Sequence, residues 1–234
     1  VSTYTFSNIS RNHRVSVTFQ KVSYGGTGQY GVLTDDDYEG YGNSRTSYKH
    51  ASSYQDINAS SWYYSGIDYV VSNGLLSESD ANFYPEAYAT RATLVEMIYN
   101  NEGAPEVGYS SGFVDVPYYS TYSNAISWAT SRGIVNGISS SVFAPEGSIT
   151  REQLAVILYR YAMYKNRNVS NNSSYLTQNY SDAWSVSMYA GSAVNWAVNT
   201  GLINGRSQTT LEPAGLTTRA ELATIMTRFC KLVM

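Results

Sequence analysis

Apolar residues along this chain follow two periodicities. Near the N-terminus, Tyr4-Thr5-Phe6 and Val15-Ser16-Val17-Thr18-Phe19 alternate apolar with polar positions around a polar turn at Asn8 to Arg14, the pattern of two strands. Two strands alone make no stable sheet. Residues 1–23 therefore read as the closing β-hairpin of a preceding β-rich domain, or as a hairpin packed on the domain C-terminal to it. Residues 24–52 hold Gly25-Gly26-Thr27-Gly28, the acidic run Asp35-Asp36-Asp37 and almost no aliphatic side chains, which predicts a linker. The acidic run lacks the spacing and glycine of a calcium loop and reads as a solvated charge cluster.

From Tyr54 onward the spacing is helical. Ile67, Val70 and Val71, then Ile126 and Ala129, then Val194, Ala197 and Val198 each mark one apolar face. A second series does the same at Leu94, Met97 and Ile98, at Leu154, Ile157, Leu158 and Tyr161, and at Leu222, Ile225, Met226 and Phe229. The pattern is thus a repeat, written three times. Ile149-Thr150-Arg151-Glu152-Gln153-Leu154 has close copies at 89–94 and 217–222, and Arg91, Arg151 and Arg219 each stand six residues after a proline. Asp56, Asp115 and Asp182 precede those arginines by 35, 36 and 37 residues.

Each repeat reads as helix, loop, helix. Gly74, Gly133 and Gly201 fall where a first helix needs a left-handed residue to end, and Thr90, Thr150 and Thr218 stand as N-caps of a second helix. Thr150 with Gln153 and Thr218 with Glu221 form capping boxes; Thr93 leaves the first box incomplete. One such hairpin buries too little to stand alone. The expected fold is mainly α, a pseudo-threefold bundle of repeats 53–107, 108–170 and 171–234 forming one compact domain, with Tyr109–Gly112 and Asn166–Gln178 as connections.

Composition narrows the chemistry. Charged residues are only 14%, the net charge is −3, and 23 tyrosines contribute to an uncharged but hydrogen-bonding surface. Such a surface suits carbohydrate or protein partners better than nucleic acid, which calls for clustered Lys and Arg. One cysteine, Cys230, excludes a disulfide within the chain and reads as a small packing residue; two histidines exclude a histidine-rich metal site. No cofactor motif, Ser/His/Asp arrangement or membrane-length apolar run is present, so neither catalysis nor membrane insertion is expected.

The arginines are the informative residues, because the macrodipole disfavours a cation in the first turn of a helix. Helix-start N–H groups and a guanidinium fork together suit a carboxylate or phosphate; the alternative is an Arg–Asp pair that holds the repeats together. Asp56, Asp115 and Asp182 read as caps of the first helix. Trp128 and Trp196 occupy matched positions and are either core or sugar-stacking rings at a groove between repeats. Asn136-Gly137 and Asn204-Gly205 suggest turns with positive φ and free N–H groups, replaced in the first repeat by Ser77-Glu78.

Taken together, Phe113-Val114-Asp115-Val116, the Gly-Ile-Val-Asn-Gly turns, the Phe-x-Pro step and the Ile-Thr-Arg-Glu helix start resemble the S-layer homology (SLH) domain over about residues 54–230. The resemblance implies non-covalent anchoring to the bacterial cell wall, outside the cell. The expected partner is a secondary cell-wall polysaccharide, with a pyruvylated N-acetylmannosamine held in grooves between repeats. It puts Arg91, Arg151 and Arg219 at the centre of binding, supported by the three aspartates, the turn glycines and the groove aromatics. The alternative is a structural or protein-interaction module for surface-layer assembly. Because the first repeat departs from the pattern, Arg91 is expected to matter less than Arg151 or Arg219.

Overall fold

The computed structural model describes residues 49–76, 80–108, 110–170 and 175–233. The hairpin expected at 1–23, the acidic run and the Ser77-Glu78 pair lie outside the described residues. The repeats lie within one compact unit, Thr46–Met234.

Each repeat is two helices joined by a loop: α1 (Tyr64–Ser72) and α2 (Arg91–Asn101), α3 (Ser123–Ser131) and α4 (Arg151–Tyr164), α6 (Gly191–Asn199) and α7 (Arg219–Leu232). A short α5 (Tyr175–Asn179) interrupts the polar tract expected to be a plain connection, and its Leu176 joins the core. The stretch read as linker also ends early. Ala51 is fully buried and its N–H donates to Asp68, because a small apolar residue and a partly buried carboxylate give the chain a foothold on α1.

The helix ends follow the local signals. The Thr90, Thr150 and Thr218 hydroxyls accept the N–H of Thr93, Gln153 and Glu221, and the two expected capping boxes are complete. In the first repeat the Thr90 and Thr93 hydroxyls pair with each other at 2.9 Å. Gly74, Gly133 and Gly201 adopt φ of 67°, 68° and 72° and donate back to Val71, Thr130 and Val198. That left-handed turn is what a residue with a Cβ resists.

The repeats interlock cyclically. Ala89 N–H donates to Thr217, Thr217 to Ile149 and Ile149 to Ala89, a closed ring of three backbone bonds with one residue from each repeat. Around this ring α3 packs on α2, α6 on α4 and α1 on α7, so the first helix of every repeat is buried against the second helix of the repeat before it. Farther along the second helices Tyr161 stacks on Phe229 with centroids 5.1 Å apart, and Asn101 donates to the Tyr161 hydroxyl. Burial is thus shared between repeats, and the core is continuous through all three.

Candidate functional site

All three arginines are the first residues of their helices, and each reaches into the loop of the next repeat. Arg91 Nε donates to Phe143 O at 3.0 Å and Nη2 to Asn136 O at 2.9 Å. Arg151 repeats this with Leu211 O and Asn204 O, and Arg219 Nε donates to Phe83 O, closing the cycle onto the first repeat. The Arg91 and Arg219 guanidinium groups also lie over the rings of Phe143 and Phe83.

Arg91 and Arg151 are only 7% and 5% exposed, and backbone carbonyls are their main acceptors. Among the described residues, the only carboxylate within ion-pair distance of either is Glu221, 3.9 Å from Arg151. Burial lowers both guanidinium pKa values; nearby Tyr189 and Asp115 act against this at Arg91, and Glu221 does so at Arg151. The consequence is positive charge taken out of water, with no ion-paired carboxylate at Arg91 among the described residues and Glu221 standing near Arg151, a placement that attracts an anion more strongly at Arg91.

The helix-start N–H groups, expected to join that receptor, do not. Arg91, Arg151 and Arg219 donate theirs to Gly147, Gly215 and Ala87, and the following residues donate to Pro145, Pro213 and Pro85. The interlock between repeats consumes these donors, because a helix start buried against a loop must satisfy its N–H groups there.

The aspartates are not helix caps. Asp115 accepts the N–H of Phe143 and Ala144, Asp182 those of Leu211 and Glu212, and Asp56 those of Phe83 and Tyr84. Tyr84, Ala144 and Glu212 hold positive φ, so each carboxylate clamps the strained turn that presents the carbonyl accepting from the arginine Nε. Burial pushes the Asp115 and Asp182 carboxyls up; the two donated N–H bonds and the nearby arginine outweigh it, and both end below the usual carboxylate range.

Two further readings change. Trp128 and Trp196 are 3% and 1% exposed and pack edge-on against Tyr164 and Tyr159, so they are core rings with no face for a sugar. Gly137 and Gly205 lack positive φ. They are required for space: a Cβ on either would come within 3.0 Å of backbone carbonyls and of the ring of Phe113 or Tyr180.

Two grooves result. One, of about 450 Å³, is lined by Arg91, Asn136, Gly137, Gln153, Arg160 and Tyr189 among others. The other, of about 390 Å³, is lined by Arg151, Asn204, Arg206, Glu221, Arg228 and Trp62 among others. Both fall in the range of roughly 300–1,000 Å³ for small-ligand sites. Trp62 and Tyr189 hold matched positions five residues before Ile67 and Val194 and are 64% and 62% exposed. Tyr189 is held in place by Glu152, which accepts from its hydroxyl and from the N–H and hydroxyl of Ser187.

Tyr189, Trp62, Arg160 and Arg228 escape a search built on the helix-start motif, although Arg160 and Arg228 each stand nine residues after an arginine of that motif. The same register assigns the third position, at Arg219, the residues Glu96, Asn100 and Thr121. They stand where the other grooves have Val156 or Thr224, Arg160 or Arg228, and Tyr189 or Trp62. The departures of the first repeat therefore fall on Arg219, not on Arg91, because every groove takes its loop and floor from the repeat after its arginine.

The family model described as the S-layer homology domain matches residues 53–94, 112–155 and 179–223, together more than half of the chain. Over 152 residues the chain is 34% identical to exoglucanase XynX of Acetivibrio thermocellus, covering 63% of this chain and 13% of that protein. It is 27% identical over 188 residues to an endoglucanase of Bacillus sp. strain KSM-635, covering 79% and 19%. It is 28% identical over 184 residues to the surface-layer 125 kDa protein of Lysinibacillus sphaericus, covering 76% and 15%. The chain spans less than a fifth of the length of each of these proteins.

Proposed function

The chain belongs to the S-layer homology family, and from that premise we propose that it is a non-covalent anchor, holding what it is joined to on the bacterial cell wall, outside the cell. It acts by binding and carries out no turnover. Its ligand is a secondary cell-wall polysaccharide with an acidic sugar, of the pyruvylated N-acetylmannosamine type, taken in the grooves of Arg91 and Arg151. The observation that carries this reading is the pairing, in each groove, of a buried arginine with an exposed ring and a second arginine. A ring suits the apolar face of a sugar, and the guanidinium suits its carboxylate. The surface-layer and polysaccharide-degrading names of the relatives are consistent with a shared anchoring segment.

A second reading, docking to another surface protein, draws on Trp184 and Met188, which stand almost fully exposed just before α6. Sedimentation with purified sacculi separates the two. Anchoring to the polysaccharide predicts co-sedimentation that disappears after hydrofluoric acid strips the polymer. Retention on stripped sacculi, or no binding to intact ones, contradicts it.

A further inference from the structure

Gln153 and Glu221 occupy the same position, the third residue of helices α4 and α7, and make the same capping box. Each also lines a groove, Gln153 that of Arg91 and Glu221 that of Arg151. The local structure is therefore matched and the charge is not. Glu221 lies between two guanidinium groups, with Oε1 at 3.9 Å from Arg151 Nη1 and Oε2 at 3.1 Å from Arg206 Nη2. Among the described residues, no acid lines the groove of Arg91.

We propose that Glu221 sets the charge selectivity of the Arg151 groove by acting as a resident competitor for its arginines, so that the two grooves differ in their preference for an acidic sugar. This rests on the anchoring function above. An incoming carboxylate meets Arg91 with a neutral Gln153 beside it. At Arg151 it meets a carboxylate already drawn toward the same guanidinium and toward Arg206. Like charges held in one partly buried site repel, and the pair already formed must loosen for the ligand to be accepted. Glu221→Gln keeps the capping box, since Gln153 fills that role in this chain, while removing the competitor from Arg151 and leaving Arg206 to Glu212 and the Leu216 carbonyl.

The test is a titration of the ¹⁵N-labelled chain followed by NMR, with the Gly137 amide reporting on the Arg91 groove and the Gly205 amide and Trp62 indole on the Arg151 groove. The probe is the methyl glycoside of pyruvylated N-acetylmannosamine, and the control is the same glycoside with its carboxylate converted to a carboxamide. Glu221→Gln is expected to tighten the acidic probe at Gly205 about three- to tenfold, with Gly137 unchanged. Gln153→Glu is expected to weaken it at Gly137 by a similar factor. The carboxamide should respond to neither substitution. If the wild type binds the acidic probe and Glu221→Gln binds it equally or more weakly at Gly205, the competitor role is overturned while the anchoring function stands. If the acidic probe moves neither reporter in the wild type, both fall together.

Discussion

At the residue scale, Arg91 and Arg151 do two jobs with one group. Nε and Nη2 hold the loop of the next repeat, and the rest of the guanidinium is left to line a groove. Arg91→Ala and Arg151→Ala should each lower affinity for wall polysaccharide about tenfold or more, as expected for loss of a charge-assisted hydrogen bond. Arg219→Ala should change it less than threefold, as read by titration calorimetry; an equal loss in all three would contradict the asymmetry argued from Glu96, Asn100 and Thr121. The aspartate clamps make a separate prediction. Asp115 and Asp182 have folded pKa values below their unfolded ones, so they stabilise the fold above about pH 4 and lose that contribution as pH falls through the depressed values. Thermal melts should show Asp115→Asn less stable than wild type at pH 7, with the gap closing toward pH 3. A gap that widens in acid would contradict the clamp.

At the scale of the elements, the loop between helices is the part under tightest constraint. Gly137→Ala should cost about 1–3 kcal/mol in chemical denaturation, the usual penalty for forcing a methyl group into a filled site; a neutral effect would show that the loop can yield. Helix starts and stops were legible in the sequence, because Thr-Arg caps and left-handed glycines act within one turn. What Asp115 binds was not legible, because its partners lie 28 and 29 residues away and follow from packing. Gly137 was legible as a glycine position but for the wrong reason, since close approach and positive φ favour the same residue. The indoles of Trp128 and Trp196 and the rings of Trp62 and Tyr189 carry the same sequence signal, and only burial sorts core from groove.

At the scale of the whole molecule, the cyclic exchange decides which residues share a site. A triplicated sequence has the same internal spacings whether a contact forms within a repeat or with the next, so the sequence alone left Arg91 with its own irregular repeat. The ring through Ala89, Thr217 and Ile149, and the packing of each first helix on the preceding repeat, hand that irregularity to Arg219. Among the described residues, three copies of one motif thus give two matched grooves and one altered position, and the chain is expected to bind with a valence of two. The most direct test is titration calorimetry of the chain with the methyl glycoside of pyruvylated N-acetylmannosamine beside its carboxamide. Two sugars bound per chain, with the carboxamide markedly weaker, is the expected result; no binding of the acidic sugar, or equal binding of both, would contradict the central claim.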